Sequence, residues 1–291
     1  MLISILTPVY NRKDIIKLLF ESLLLQTDQQ FEWVIVDDGS VDGIEHIIEP
    51  FRQRAGFTIN YLRQNNQGKH AAVNRGVAAA AADWVFIVDS DDILPPSAIS
   101  VIRQHTRQVD DSVNGLAYLK QMVRSFTSEP VRGSDFPEDC YKMDSCKFVA
   151  IKGDKAIVVR KAQLLANVFP LFVGEKFVPE SYAWNRIFDS GLLLGYNQVV
   201  YQGEYLSDGL TNNYFKLLQA NPNGVLAFIK SNLQLKKIDA NIYKQSAYHF
   251  CPVFSFKNLR EIYGATSSGR FLPFSLMTLL MFVKLKMEKK L

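Results

Sequence analysis

Short apolar runs alternate with longer amphipathic segments through the first third of the chain. The runs predict strands at residues 2–9, 31–36, 58–62 and 84–88. The segments between them predict helices at 14–26, 41–54 and 69–82, with a further helix starting at the Pro95-Pro96 pair. Because strand–helix alternation builds mostly parallel sheets, we predict an α/β fold with a Rossmann-like, doubly wound sheet flanked by helices.

The pattern becomes irregular after about Asn114. A polar stretch at 125–147 predicts a long loop over the active edge of the sheet. Further strands are predicted at 156–159 and 198–201, and helices at 181–188, 212–235 and 255–263.

Composition describes an ordinary globular protein. Of 291 residues, 48% are hydrophobic and 21% charged, and the net charge of +4 carries no nucleic-acid signature. Three cysteines are too few and too scattered for a disulfide framework or a zinc site, and they fit a reducing compartment. The apolar N-terminus breaks at Pro8 and lacks a basic start, so we expect no signal peptide. We also expect no run of the roughly 20 apolar residues that a membrane-spanning helix needs.

The C-terminal segment is the exception. Residues 271–283 are almost wholly apolar, and Lys284, Lys286, Lys289 and Lys290 follow. Such a segment suits either a core helix with a solvated tip or a helix that lies in a membrane interface, with its lysines toward anionic headgroups. Segregation of charge along the chain favours the membrane-surface interpretation.

An acidic cluster follows the predicted strand at 84–88. Asp89, Asp91 and Asp92 repel one another unless a cation lies between them, and a hard divalent metal is the usual partner of such oxygens. Ligands of open α/β sheets bind beyond the carboxyl ends of the strands. A metal that also holds a diphosphate would make this a nucleotide-sugar site. The alternative is an acidic loop that caps the next helix.

The other strand ends carry compatible residues. Tyr10 could stack on a base and Arg12 could reach a phosphate, or the two could belong to a simple turn. Asp38 could accept the imide N–H of uracil, and Ser40 or Asp42 could cap the next helix. Lys69 starts a helix after Gly68, a natural neighbour for a diphosphate. Asn74 follows within that helix. His70 is expected to be a local hydrogen-bond partner.

Together these motifs resemble family 2 glycosyltransferases with the GT-A fold. The resemblance rests on residues 7–12, 36–40, 66–70, 74–76 and 89–92, and continues more thinly through 174–180 and 184–186. Residues 204–212 are similar to a bacterial surface-polysaccharide subgroup. The resemblance implies a GT-A domain over 1–210, with a nucleotide-binding half at 1–112 and an acceptor-binding half at 113–210. A helical region would occupy 211–291.

The family also implies residue roles. Asp38 would contact the base, and Thr7 and Tyr10 would line its pocket. Asp91 would be the main metal ligand. The remaining donor-site positions are Pro8, Arg12, Lys69, Asn74, Asp89 and Ser90, with Asp89 and Asp92 assisting at a Mn²⁺ or Mg²⁺ ion.

Glu180 occupies the position of the family's general base, and Asp208 is its rival. A carboxylate there could remove the acceptor proton in an inverting transfer. Alternatively, Glu180 could be an acid that the dipole of the 181–188 helix favours.

The expected activity is transfer of one sugar from a nucleotide-diphosphate sugar, with UDP as the favoured carrier, to a glycan or lipid-linked acceptor. Processive relatives carry a Gln-x-x-Arg-Trp motif, which is absent. The expected location is the inner face of the cytoplasmic membrane. A nucleotidyltransferase usually has a glycine-rich loop after its first strand, and residues 7–10 contain no glycine. A nucleotide- or glycan-binding module without catalysis is the other alternative.

Overall fold

The computed structural model describes residues 2–124, 130–132, 134–205 and 214–288. These residues form a nine-stranded sheet. The strands are β1 (Ile3–Val9), β2 (Phe31–Asp37), β3 (Thr58–Arg63), β4 (Trp84–Ile87), β5 (Val113–Arg124), β6 (Pro130–Arg132), β7 (Tyr141–Met143), β8 (Lys155–Arg160) and β9 (Leu192–Tyr205). Their order in space is β3-β2-β1-β4-β8-β5-β9-β7, and β6 pairs with β5.

Helices flank this sheet and continue beyond it. They are α1 (Ile16–Leu24), α2 (Glu45–Arg54), α3 (Lys69–Ala79), α4 (Ala98–Thr106), α5 (Ser145–Ala150), α6 (Lys161–Ala166), α7 (Ser181–Ser190), α8 (Tyr214–Ala220), α9 (Pro222–Asn232), α10 (Ala240–Phe250), α11 (Phe256–Gly264) and α12 (Ser268–Met287). The last five follow the final strand, which agrees with the predicted helical C-terminal region.

The first four strands are parallel, as predicted, and β1, β2 and β4 are buried almost throughout, whereas β3 at the edge of the sheet is only partly buried. β1 pairs with β2 and β4, and β2 pairs with β3. Alternate strand residues face opposite sides, so Ile5 packs in the core with α1 and α2 whereas Leu6 packs in the core with α3. Helix α3 lies so close to β1 that a Cβ on Gly76 would come 2.1 Å from Leu6 Cδ1. The small residues of α3 permit this approach.

The second half departs from a simple doubly wound sheet. β8 lies between β4 and β5 and is antiparallel to both. β5 then pairs along its length with β9, in parallel. The predicted loop at 125–147 is wrong in part, since β6, β7 and the start of α5 fall within it. The predicted helix at 212–235 is two helices, because Pro222 starts α9 directly after the Asn221 break.

The C-terminal helices have an apolar core of their own, built around Phe228, Phe250 and Phe274. Burying each such side chain contributes roughly 1.5–3 kcal/mol. Among the described residues, only α12 is long and apolar enough to cross a membrane, by length and composition. This helix contains the apolar segment at 271–283 that the sequence sets apart as the exception.

Candidate active site

The loops after β1, β2 and β4 meet at one edge of the sheet. Val9 is in register with Asp37, and Leu6 with Ile87. The carboxyl ends of parallel strands meet at one edge, which brings Tyr10, Asp38 and Asp89 to the same side. The β1 and β2 loops are also joined directly, since Asn11 N donates to Ser40 Oγ (2.9 Å) and Val41 N donates to Asn11 Oδ1 (2.9 Å).

The acidic loop at 89–92 is held by β9. Tyr201, which is fully buried, donates its hydroxyl to Asp92 Oδ2 (2.6 Å) and accepts from Asp89 N (3.1 Å). Ile93 and Gln202 exchange two backbone hydrogen bonds of 2.8 and 2.9 Å. The loop is thus fixed at both ends of its acidic run. Nothing around Tyr201 in the sequence signals this role, because its partners lie far away along the chain.

The three carboxyl groups occupy different electrostatic environments. Burial opposes the charged form of Asp89, but Lys69 and Lys120 lower its pKa below the usual value. Burial and the charge of Asp89 raise the pKa of Asp91. Burial raises the pKa of Asp92 to about 7 against the opposing hydrogen bond from Tyr201. The loop therefore combines one stabilised carboxylate with two neighbours that carry a charge only at a cost.

Lys69 joins this loop to Glu180. Its Nζ lies 2.6 Å from Asp89 Oδ1 and 2.6 Å from Glu180 Oε1, and all three side chains are between one third and one half exposed. Burial works to lower the pKa of Lys69, but the charges of Asp89 and Glu180 outweigh it and raise the pKa. Sequence reasoning named all three residues but did not predict that one ammonium group would bridge the other two.

Gly68 makes this bridge possible. It precedes α3 with a φ of +93°, and a Cβ there would come 1.9 Å from the carbonyl oxygen of Lys176. Only glycine permits both the left-handed backbone and the close approach. The segment that leads to Glu180 therefore packs directly on the start of α3, where Lys69 is the first helical residue.

Glu180 stands at the start of α7, and its side chain makes no capping hydrogen bond. The helix is anchored by Asn185, which donates to Asn232 Oδ1 (2.9 Å) and Gln245 Oε1 (2.8 Å). Glu175 accepts from Asn223 N and Gly224 N, both at 2.9 Å, and so caps α9. The C-terminal helices thus hold the segment that carries Glu180. Asp208, the rival base, lies outside the described residues.

A cavity of about 290 Å³ opens beside this segment. It is lined by Asn66, Gln67 and residues 171–176. The cavity therefore lies between the loop that follows β3 and the chain that leads to Glu180.

Both carboxylate oxygens of Asp38 already accept hydrogen bonds within the fold. Its Oδ1 accepts from Gln64 Nε2 (2.8 Å) and Gln67 N (2.9 Å), and its Oδ2 accepts from Gly68 N (2.7 Å). Its neighbour Asp37 is fully buried and accepts from Ser40 N and the Tyr61 hydroxyl, each at 2.7 Å. In this structure, the main task of Asp38 is to shape the loop before α3, and the expected contact with a base has to compete with these bonds.

Thr7 and Asn74 make hydrogen bonds within the fold, and their assignment to the donor pocket stays a prediction. Thr7 is fully buried, and its hydroxyl accepts from the indole nitrogen of Trp33 at 2.9 Å. Asn74 uses both ends of its amide on Phe169, accepting from the backbone N (2.9 Å) and donating to the carbonyl (2.8 Å). Pro8 is buried in β1 as well. In this structure, the three residues contribute to the packing and hydrogen bonding of the fold next to the site.

The remaining predicted residues lie at the same edge of the sheet. Tyr10 is 48% exposed, so its ring is available for stacking. The positive charge of Arg12 reaches Asp91 and acts to lower its pKa. Ser90 is nearly buried within the acidic loop. His70 is also buried, and its Nδ1 has no hydrogen-bond partner in the described part of the chain.

The acidic loop fits a divalent cation in part. No group of three His, Cys, Asp or Glu side chains in the described ranges stands in a metal-binding arrangement. Asp89 and Asp91 nevertheless offer hard oxygen donors, and the repulsion that raises the pKa of Asp91 is what a cation would relieve. Asp92 fits less well as a direct ligand, because Tyr201 already donates to its Oδ2.

Solved structures share the fold over almost the whole chain. TarS 1–349 of S. aureus in complex with UDP-GlcNAc covers 97% of this chain with a TM-score of 0.66 and 16% identity, and the match spans 89% of TarS 1–349. The mannosyltransferase PcManGT from Pyrobaculum calidifontis, in complex with GDP-Man and Mn²⁺, covers 97% with a TM-score of 0.57 and 14% identity, over 84% of its length. The sheet and its flanking helices define a GT-A-like fold.

Sequence comparison then identifies the family. The glycosyl transferase family 2 model matches residues 4–148. GlyG of Streptococcus pneumoniae serotype 4 is 35% identical over 113 residues, 38% of this chain and 37% of GlyG. The putative glycosyltransferase EpsH of Bacillus subtilis is 36% identical over 94 residues, 32% of this chain and 27% of EpsH. The chain belongs to glycosyltransferase family 2. It matches well under half the length of these two relatives.

Proposed function

We propose that this protein is an inverting, metal-dependent glycosyltransferase that moves a single sugar from a nucleotide-diphosphate sugar to a glycan or lipid-linked acceptor of a bacterial surface polysaccharide. The observation that carries the proposal is the Lys69 bridge. Through this bridge, the single side chain of Lys69 connects Asp89 in the acidic loop after β4 to Glu180. A donor site and a candidate base are thus adjacent, as a transfer between two substrates requires.

Glu180 is the proposed general base. Its carboxylate takes the proton of the acceptor hydroxyl as that oxygen forms a bond to the anomeric carbon. The bond from the anomeric carbon to the diphosphate oxygen breaks, and the nucleoside diphosphate leaves with the electron pair. General base catalysis of this kind contributes roughly 10²- to 10⁴-fold in rate. Its partial exposure leaves Glu180 accessible to an acceptor.

Lys69 and the acidic loop serve the donor. The ammonium group of Lys69 lies at the start of α3, where backbone N–H groups also favour an anion, and can move from its carboxylates to a diphosphate oxygen. Asp91 and Asp89 are the residues that would hold a divalent cation. When bound, such a cation would neutralise charge on the departing diphosphate. Tyr201 keeps Asp92 and the loop backbone in place.

UDP is the proposed carrier, with GDP and dTDP as the alternatives. The similar structures in complex with UDP-GlcNAc and with GDP-Man and Mn²⁺ support a nucleotide-sugar donor and a cation without choosing between the carriers. The absent Gln-x-x-Arg-Trp motif supports transfer of a single sugar. Acceptor choice would fall to the side of the site where residues 171–176 line the cavity.

Donor hydrolysis tests the proposal. Wild-type protein is assayed against a panel of UDP-, GDP- and dTDP-sugars with Mn²⁺ or Mg²⁺, and Asp91→Ala serves as the matched inactive variant. We expect cation-dependent release of one nucleoside diphosphate by the wild type and its loss in Asp91→Ala. Absence of turnover and of nucleotide binding in both proteins would refute the proposal. Release of pyrophosphate from a nucleoside triphosphate would instead identify a nucleotidyltransferase.

A further inference from the structure

Helix α12 has one face buried in the protein and one face uncovered. Phe274, Thr278 and Leu285 are almost completely buried, and Phe274 belongs to the C-terminal core. Phe271 packs against Tyr263 with ring centroids 5.0 Å apart, and Phe274 against Phe250 at 5.5 Å. The core-helix interpretation of the apolar segment therefore holds for one side of α12, and the membrane-surface interpretation stays a prediction. One side is a core helix, and the other side has no partner in the described part of the chain.

The uncovered face is a continuous apolar row. At about 100° per residue, its members fall within an arc of roughly 100°, opposite the buried residues. The row spans about 22 Å at a rise of roughly 1.5 Å per residue. The exposed fraction of each side chain lies between 52% and 74%. In chain order, the members of the row are Leu272, Leu276, Leu279, Leu280, Val283 and Met287. Six large apolar side chains aligned in this way form a surface that water solvates poorly.

Lysines flank the row on both sides. On the same helical geometry, Lys286 lies about 20° beyond one edge and Lys284 about 40° beyond the other. Both side chains lie in the exposed last turns of the helix, and Lys289 and Lys290 follow in the sequence, outside the described residues. An apolar stripe with lysines at both borders suits a surface that is apolar within and negatively charged at its rim.

Aromatic side chains widen this surface toward α11. Phe282 packs against Phe254 (5.8 Å between ring centroids), which packs against Phe256 (6.0 Å), and Phe256 is 84% exposed. Lys286 Nζ lies 5.3 Å from the Phe282 ring centroid, so a positive charge sits at this edge as well. The exposed apolar surface therefore extends beyond a single helix.

We propose that α12 is an in-plane membrane anchor, with its uncovered row immersed in an anionic bilayer and its lysines at the headgroups. Insertion of such helices reaches about 5–10 Å, which suits the row but not the whole helix. The buried face argues against spanning, because a spanning α12 would have to leave the core around Phe274. The proposal concerns binding alone and stands independently of the proposed catalytic activity.

Vesicle flotation of the full-length protein tests this anchor. Vesicles of phosphatidylglycerol mixed with phosphatidylcholine are compared with vesicles of phosphatidylcholine alone. The variants are Leu276→Ser with Leu280→Ser, and Lys284→Gln with Lys286→Gln. The matched control is Leu18→Ser with Leu25→Ser, because those two leucines are similarly exposed, at 61% and 68%. All these positions lie on the surface, so the variants should fold, and thermal melting verifies this.

We expect the wild type and the Leu18/Leu25 control to float with anionic vesicles and to bind neutral vesicles far less. The leucine pair should lose roughly tenfold to a hundredfold in affinity, from lost apolar burial. The lysine pair should lose about thirtyfold in affinity, from lost attraction to the anionic surface. Equal binding to neutral vesicles, no vesicle binding, or unchanged binding by both α12 variants would overturn the proposal. A second result would also overturn it: the wild type sediments as a dimer and binds no vesicles, and the Leu276→Ser with Leu280→Ser variant sediments as a monomer.

Discussion

Lys69 and Glu180 form an ion pair of 2.6 Å between the first turn of α3 and the start of α7. The same Lys69 nitrogen lies 2.6 Å from Asp89. One ammonium group therefore balances a carboxylate of the donor loop and the candidate base. Without this charge, two neighbouring carboxylates would face each other in a partly buried site.

The Lys69 bridge predicts that Lys69→Met lowers kcat/KM for sugar transfer by roughly 10²-fold, the scale of losing one preorganised charge contact in an active site. Lys69→Arg is the matched control, since it retains the charge on a different geometry and should recover part of the activity. Steady-state kinetics with a saturating acceptor measures the effect. A Lys69→Met enzyme within twofold of wild type would exclude the bridge from function.

Glu180→Gln removes the proposed base and keeps the size of the side chain. We expect kcat to fall by roughly 10²- to 10⁴-fold, with donor affinity retained, because no carboxylate is left to take the proton from the substrate hydroxyl. Asp208→Asn is the comparison, and single-turnover transfer is the measurement. If Asp208→Asn abolishes transfer and Glu180→Gln does not, the base has been assigned to the wrong carboxylate.

Asn74 is predicted to matter for stability and not for donor binding. Asn74→Ala leaves the backbone N–H and carbonyl of Phe169 without their amide partner, at a cost of about 1–3 kcal/mol in the free energy of unfolding. Urea unfolding measures this loss, and Gln108→Ala, at an exposed position, is the control. Weakened donor binding with unchanged stability would contradict this prediction and support a place for Asn74 in the donor site.

His249 predicts a pH-dependent loss of stability. Burial lowers its pKa to about 4, while its Nδ1 lies 2.7 Å from the Gln245 carbonyl and its Nε2 lies 2.9 Å from the Tyr214 hydroxyl. The unfolded chain binds this proton near pH 6.5, so the neutral folded form loses stability as pH falls from about 6.5 to 4. The loss is on the order of 3 kcal/mol.

Denaturant unfolding of wild type and His249→Gln across this pH range isolates the effect, since the raised pKa of Asp92 contributes equally to both proteins. We expect the stability of wild type relative to His249→Gln to decline as pH falls. His46→Gln, at a surface position, is the control. A constant difference between wild type and His249→Gln would contradict the burial argument.

The sequence predicted the first half of the fold well because its signals are local. Strands β1, β2 and β4 are mainly apolar runs, and the small residues of α3 indicate a helix that packs close to the sheet. It missed β5, whose pairing with β9 is long-range and whose start contains Asn114 and Gly115. Whether a strand with polar and glycine positions forms depends on such distant partners, which periodicity does not reveal.

The same distinction applies to the candidate site. Strand-end motifs predicted that Asp38, Lys69 and the acidic loop share an edge, because parallel strands end together. Hydrogen-bond partners could not be predicted in this way. Thr7 faces Trp33, and Tyr201 reaches the acidic loop from β9. In strands buried on both faces, alternation no longer tells which side chain meets the ligand.

The most direct test of the central claim is calorimetric titration of wild type and Asp91→Asn with UDP, GDP and dTDP, each with and without Mn²⁺. We predict that one nucleoside diphosphate binds the wild type at least about tenfold more tightly with Mn²⁺, an effect of roughly 1.4 kcal/mol. Asp91→Asn should lose this dependence and keep the melting temperature of the wild type. Nucleotide binding that is absent throughout, or a Mn²⁺ effect that persists in Asp91→Asn, would contradict the assignment of the acidic loop.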